Sequence, residues 1–351
     1  MMSFRRCTPP ALLALLLFIS CDRTRVAGSR KLPKGFPSER TAADFPKTQF
    51  LATLEEAPSA GRNTVYTPTL LYAWNGVAQE LRGGIAPRPG SSPAFRALTA
   101  SKGHYGAMEE SEYAVETTVE GEAVSVRAFF HKALDFPVLL QKAPGGLSFG
   151  GRAVAAFGMK DYEGAITRFV EILYYKDDDH FALRLRPQQH DQEIVLAKGL
   201  PRAPSLLALL RELDTAIAKG RELQKVTAHQ WRYRWETTDR FLVPEFAFHI
   251  RAEFPSLLGQ RFASSAGPKR IEEAWQRNAF VLNERGAIAE SEGSIGVTAD
   301  TVVAPEVKPQ PKNFILDKPF LLLLRHNEKR PPYFVIDLQH PELLRSLNIK
   351  Q

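Results

Sequence analysis

Three short stretches of this chain combine residue types that support chemistry. Gly146-Leu147-Ser148-Phe149-Gly150 has the spacing that presents a nucleophilic serine on a strand-to-helix elbow. Pro144-Gly145 stands before it and a Val- and Ala-rich, strand-like segment follows, so a glycine-rich turn accounts for it better than a hydrolase. Asp177-Asp178-Asp179-His180 offers four metal-ligand types in a row. Consecutive residues cannot all converge on one ion, and no second histidine cluster has ligand spacing, so a solvated hairpin turn is expected. Trp231-Arg232-Tyr233-Arg234-Trp235 interleaves arginines with rings on which bases could stack. A strand with aromatics on one face and arginines on the other explains it more simply. The net charge is +7, yet no block of five like charges occurs in the mature part of the chain. An enzyme is not expected, nor a metal, a cofactor or a nucleic-acid partner.

The two cysteines, Cys7 and Cys21, both lie near the N-terminus. Arg5 and Arg6 precede the apolar run from Ala11 to Ser20, so residues 1–20 have the charge and length of a secretory signal. The run ends Leu17-Phe18-Ile19-Ser20-Cys21. A small residue before cysteine resembles a bacterial lipobox, which implies lipidation at Cys21. Residues 21–40 carry Arg30, Lys31, Lys34 and Arg40 among Pro, Gly and Ser, the composition of a flexible basic tether beside a membrane. One acyl chain holds a protein weakly and two or three hold it firmly. The expected location is the bacterial envelope or surface, with a soluble extracellular or periplasmic form as the alternative. With Cys7 lost in the signal, no internal disulfide remains, and packing alone must stabilise the domain. A monomer is expected.

The elements must come from residues 41–351. Helical spacing is read over 41–56, 69–82 and 205–219, the last with Pro204 at its start and Gly220 beyond its end. Strands are read at 64–66, through 113–130 ending in Val124–Phe130, at 168–175, 181–186 and 241–246, and in the run before Asn283. Residues 83–110 are rich in Gly, Pro and Ser and show no period. Phe320–Arg325 is too short to span a bilayer and has the length of a strand buried on both faces, with Pro319 at its start. Strands and helices come in blocks rather than in βαβ alternation, which points to an α+β class.

The order Phe314-Ile315-Leu316-Asp317-Lys318-Pro319-Phe320, followed by large apolar residues, resembles the C-terminal signature of the serpin family. Asn63-Thr64-Val65-Tyr66-Thr67-Pro68 is similar to the family's segment leading into its buried second helix. Phe241-Leu242-Val243-Pro244-Glu245-Phe246 resembles its apolar-Pro-x-Phe strand, and Ala128-Phe129-Phe130 the end of a central-sheet strand. Asn283-Glu284-Arg285-Gly286 matches the start of the reactive loop, with Arg for a second Glu. The resemblance implies a large central β-sheet, a second sheet, surrounding helices and an exposed reactive-centre loop, here at about 286–313. It also implies a suicide inhibitor of serine or cysteine proteases, with a non-inhibitory binding or structural module as the alternative. The chain departs from the family in its short span from Pro68 to Phe130, and in Ile336, Asp337 and His340-Pro341 near its end.

Loops of about 25 residues are uncommon in compact domains and usually functional. A segment that enters a sheet must turn alternate residues to the core. After Glu284 and Gly286 at the hinge, the alternates counted from Ala287 are Ala287, Ala289, Ser291 and Gly293, all small. Ile288, Glu290 and Glu292 form the other set, which suits a face in water. The family's spacing forward from Glu284 reaches Asp300, while Ala304-Pro305-Glu306-Val307 points back to Thr301 or Val302. The loop's extra length leaves Lys308 open. Thr301 or Val302 at the cleaved bond implies an elastase-like protease partner, Asp300 an Asp-specific one and Lys308 a trypsin-like one.

Overall fold

The computed structural model describes residues 36–82, 84–120, 123–159, 166–288 and 311–347. Its largest sheet has seven strands in the order β10-β11-β12-β20-β21-β3-β2. These are β10 (Val170–Asp177), β11 (His180–Leu185), β12 (Glu193–Lys198), β20 (Phe320–Arg325), β21 (Phe334–Leu338), β3 (Asn63–Tyr66) and β2 (Thr48–Leu51). Every residue of β12, β20, β21 and β3 is buried. Phe320, Leu322 and Leu324 face one apolar cluster and Leu321 and Leu323 the other, so both faces are covered and the strand reads as an unbroken apolar run. Pro319 stands immediately before it, where no ladder donor is lost.

Three α-helices lie among the described residues: α1 (Thr69–Glu80), α2 (Pro93–Ala100) and α3 (Leu206–Gln224). No described helix is long and apolar enough to cross a membrane. The Ser205 hydroxyl accepts from Ala208 N at 3.1 Å and starts α3. The helix does not stop at Gly220 as the sequence suggests. Gly220 is buried inside it, and a Cβ there would lie 1.9 Å from the Leu173 carbonyl oxygen of β10, so this glycine serves close packing. In the aperiodic 83–110 stretch, α2 opens with Ser92 accepting from Phe95 N and with Pro93 in its first turn.

Two other expectations are corrected. The helix read over 41–56 is a 3-10 turn at Ala42–Asp44 followed by β2, which pairs in parallel with β3. The Glu56 carboxylate then accepts from Ala52 N and Thr53 N, closing a turn where helix was expected. Trp231–Trp235 is no alternating strand; Thr227–Tyr233 forms a 3-10 helix against β10. The Trp235 indole donates to Val170 O at 2.8 Å, and its ring packs 4.8 Å from Phe314. Tertiary partners override the local pattern in both places.

A five-stranded sheet has the order β1-β14-β17-β18-β7: β1 (Arg40–Thr41), β14 (Phe246–Glu253), β17 (Trp275–Asn283), β18 (Gly286–Ile288) and β7 (Leu134–Asp135). A four-stranded sheet, β19-β13-β9-β8, contains β19 (Asn313–Ile315), β13 (Arg240–Pro244), β9 (Arg152–Met159) and β8 (Gln141–Phe149). A small sheet joins β4 (Ala86–Pro87), β15 (Arg261–Ala263) and β16 (Lys269–Arg270). The GxSxG stretch lies at the end of β8, in a hairpin turned by Gly150-Gly151, with Ser148 exposed on the strand and no helix following.

Residues 113–130 form a hairpin rather than one long strand: β5 (Tyr113–Glu120) and β6 (Ala123–Phe130) pair as a separate two-stranded sheet. It rests on α1, where a Cβ on Gly76 would lie 2.7 Å from Val126 and 2.9 Å from Val115. Its base is tied to the seven-stranded sheet through His326. The Nε2 of His326 lies 2.6 Å from Glu112 and its Nδ1 3.1 Å from Asp191, while Lys132 also pairs with Glu112.

His104, buried beside this hairpin, sets a pH dependence. Its Nε2 lies 2.7 Å from the Asn75 amide. Burial first, and the charge of Lys102 second, push its pKa from 6.5 down to about 4. The unfolded chain gains a proton as the pH falls through 6.5, and the folded chain only near 4. The ring therefore costs no stability above the first value, and stability falls between the two. In His104→Gln, urea unfolding should show a shallower loss of stability across that window; an unchanged slope would assign the acid sensitivity elsewhere.

Candidate functional site

The root of the long loop is built on β17. This strand pairs with β14 along its length, from Leu282 opposite Phe246 to Trp275 opposite Glu253. Phe280, Asn278 and Gln276 face inward and are buried, while Arg277 faces out. At its end the Asn283 side chain accepts from Arg285 N at 2.9 Å, and the chain reverses at Gly286. Gly286 has a φ of 142°, and a Cβ there would lie 2.4 Å from Leu134 O, so both the turn and the close approach require glycine.

After the turn, β18 runs back along β17, with Gly286 opposite Asn283, Ala287 opposite Leu282 and Ile288 opposite Val281. On its other side Gly286 and Ala287 pair with Asp135 and Leu134 of β7. Ala287 is 2% exposed and belongs to the main core. The Glu284 and Arg285 carbonyls accept from Leu140 N and Phe136 N, fixing the segment that follows β7. The Glu284 carboxylate lies 3.6 Å from Lys142. Of the residues expected at the hinge, Glu284, Gly286 and Ala287 are thus brought together. Ala289, Ser291 and Gly293 lie outside the described residues, as do Asp300, Thr301, Val302, Lys308 and Cys21.

Because β18 covers only the end of β17, no described strand pairs with Trp275–Phe280 on that side. The inner side of this stretch is polar. Thr67, just ahead of α1, donates its hydroxyl to Asn278 Oδ1 at 3.0 Å. The Gln276 amide reaches the Thr67 and Thr69 hydroxyls, each at 2.6 Å. Beyond the edge stands β6, whose Arg127 lies over the Trp275 ring at 5.8 Å.

The far end of the loop is held just as firmly. Lys312 and Asp239 are both fully buried, with Nζ 2.8 Å from the carboxylate. The same carboxylate accepts from Lys312 N at 2.8 Å and from Glu236 N at 3.0 Å. The backbone and side-chain nitrogens of Asn313 donate to Asp178 at 2.9 and 2.8 Å. Phe314 is buried against Tyr175, Phe181 and Trp235, and β19 pairs in parallel with β13.

The Asp177–His180 turn therefore does more than face solvent, and its carboxylates diverge. Asp177 pairs with His180 Nδ1 at 2.7 Å, and Asp178 accepts from the Tyr175 hydroxyl and from Asn313. Asp179 accepts from Lys318 and Lys198, whose ammonium groups hold its pKa down to about 2. Burial pushes Asp178 up, but the hydrogen bonds from Asn313 and Tyr175 outweigh it and keep the carboxylate below its usual range. Sequence reasoning missed Asp178, Asp239 and Lys312 as loop anchors. No local pattern could have paired Asp239 with a lysine 73 positions away.

Three of the segments that carry the family resemblance occupy the places it implies, whereas Ala128-Phe129-Phe130 ends β6 in the separate two-stranded sheet and not a strand of a large central sheet. Asp317-Lys318-Pro319-Phe320 enters a strand buried on both faces, Asn63–Pro68 leads into α1, and Asn283–Gly286 ends a sheet strand where the loop begins. The fold is serpin-like. No family model and no curated protein matches the chain. Among solved structures, it is similar to a highly specific serpin of the insect Tenebrio molitor, at 12% identity and a TM-score of 0.39, over 82% of this chain and 92% of that one. Thyroxine-binding globulin in complex with thyroxine is 11% identical, with a TM-score of 0.36, over 64% of this chain and 58% of that one. A serpin from the trematode Schistosoma haematobium is 14% identical, with a TM-score of 0.36 and the same two coverages of 64% and 58%.

Proposed function

We propose that this chain is a serpin-like suicide inhibitor of serine or cysteine proteases, not itself an enzyme, with the 286–313 loop as its bait. A protease attacks the loop at Asp300–Val302 or at Lys308 and forms an acyl-enzyme. The freed upstream part of the loop then adds to the five-stranded sheet as a strand, releasing strain and distorting the bound protease. An elastase-like target fits Thr301 and Val302. A lipid on Cys21 would hold the inhibitor at a bacterial envelope as a monomer.

One observation carries the reading: β18 has already begun a strand beside a stretch of β17 that no described strand covers. Ile288 stands opposite Val281. Continuing that antiparallel register one residue at a time sets Ala289 opposite Phe280, Ser291 opposite Asn278 and Gly293 opposite Gln276. Residues opposite each other on neighbouring strands share a face. The small set of the loop would thus fall on the buried face of β17, and Ser291 and Gly293 would meet its polar part. Both ends of the loop are anchored, so cleavage is the event that frees the strand to enter.

The test is the melting temperature of the full chain before and after a cut between residues 294 and 310. A rise of more than about 15 °C is expected, since a new central strand adds several kcal/mol. No rise, or a fall, would favour a non-inhibitory binding module. The observation on that side is the β5–β6 hairpin, which does not pair with β17.

A further inference from the structure

The outward face of the five-stranded sheet is basic along the line where the loop would lie. In the β14–β17 ladder, His249 stands opposite Ala279 and Arg251 opposite Arg277. Two arginines directly across a ladder repel one another. Each is relieved by carboxylates elsewhere. Arg251 bonds to Glu253 at 2.9 Å, lies 3.7 Å from Glu273, and stacks on Trp275 at 4.1 Å. Arg277 lies 3.4 Å from Glu39, its one carboxylate partner among the described residues. Arg127 of β6 also lies over the Trp275 ring, from the strand beyond the open edge.

Glu39 belongs to the end of the segment expected to be flexible tether, and its described residues, 36–40, are docked on the sheet. Arg40 pairs in parallel with Ile250 on the outer edge of β14, and His249 holds the segment through Pro37 O at 3.3 Å and Glu39 at 3.2 Å. Arg277 therefore reaches across β14 to a borrowed partner, and among the described residues no carboxylate pairs with it from the other side.

We infer that Arg277, flanked by Arg251 and Arg127, is the receiving surface for the glutamates of this chain's own loop. On this inference Arg277 exchanges Glu39 for Glu292 when the loop enters the sheet. It rests on the insertion reading above. The register that sets Ser291 against Asn278 sets Glu290 opposite Ala279, next to His249, and Glu292 directly opposite Arg277. Ser294, uncharged, falls opposite Trp275, where Glu253 and Glu273 already stand. The outward glutamates, which count against insertion in an apolar sheet, become complementary to this one. The exchange also couples the docked tether to the loop: while Glu39 holds Arg277, the surface is less ready for Glu292.

The test uses the full chain, cut between residues 295 and 310, and follows the rate at which the cleaved chain gains heat resistance. Arg277→Glu and Glu292→Arg should each slow that gain about two- to fivefold, the range expected of a cross-strand charge pair. The double reversal should recover most of the rate, and raised salt should shrink the difference. Glu39→Gln should speed the gain, because it frees Arg277 beforehand. Arg277 is exposed, so the uncut variants should melt within a few degrees of the parent, and Arg277→Gln serves if the reversal does not fold. A parent chain that gains heat resistance, with both reversals at the parental rate, would overturn the charge exchange and leave insertion standing. If Glu39→Gln slowed the gain, the exchange with the tether would be wrong. A parent chain that gains nothing would remove insertion and this inference together.

Discussion

Asp239→Ala will destabilise the native chain by about 3–5 kcal/mol, the cost of breaking a buried ion pair from one side. The variant leaves the Lys312 ammonium fully buried, with the Trp231 carbonyl at 3.4 Å as its remaining close acceptor. It also removes the acceptor used by Lys312 N and Glu236 N, and each unpaired buried donor adds about 1–3 kcal/mol. Urea unfolding of the full chain measures the loss. The double change Asp239→Leu with Lys312→Met should recover much of it, because a buried pair replaced by apolar groups of similar volume is often neutral. A loss for Asp239→Ala below about 1 kcal/mol, the worth of a surface pair, would mean that the pair opens to water and does not anchor the loop. The anchor matters because the loop is fixed at both ends: β18 holds its start and β19 its end. An intact loop that lengthens β18 stays tied to the core at Lys312, whereas a cut downstream of residue 294 removes that tie.

The parts of this architecture that could be read in the sequence are those whose cause is local. The run from Phe320 to Arg325 lacks alternation because both of its faces are covered, and the proline before it marks where the strand starts. The apolar stripe of α3 gave its start to within a residue. Its end was misjudged because glycine ends helices and also lets them pack closely, and only the neighbouring Leu173 carbonyl distinguishes the two uses. Phe50, Leu51 and Leu54 fit helical spacing, but Phe50 and Leu51 pair with β3, and a parallel pairing leaves no local trace. The turn at Asn283–Gly286 was legible because it is made from its own side chain and its own glycine. The distal anchor was not. Lys312 follows Pro309-Gln310-Pro311 and looks like exposed loop, and its burial is set by an aspartate far away in the sequence. The basic outward face was hidden for the same reason, since Arg251 and Arg277 become neighbours only once β14 and β17 pair.

If the chain traps proteases as proposed, Ala287→Arg should turn it from an inhibitor into a substrate. Ala287 is 2% exposed, lies between Leu282 on β17 and Leu134 on β7, and packs in the main core. Strands on both sides leave an arginine no direct path to water, and no carboxylate pairs with this position. An unpaired buried charge costs several kcal/mol, so β18 would detach before the charge is buried. The loop would still be cleaved, because its distal part is untouched. With about 3 kcal/mol set against the first paired residues, the fraction of cleavage events that end in a trapped protease should fall at least about a hundredfold. Titrating an elastase-like protease against the chain, and counting cut against complexed inhibitor, gives that fraction directly. Arg285→Ala, on the exposed side of the same turn, should leave it unchanged, because Arg285 holds Phe136 through its backbone. If Ala287→Arg trapped the protease as the parent does, the loop would not enter through β18. The pairing of Gly286–Ile288 with β17 would then be a fixed feature of the resting fold and not the first step of insertion.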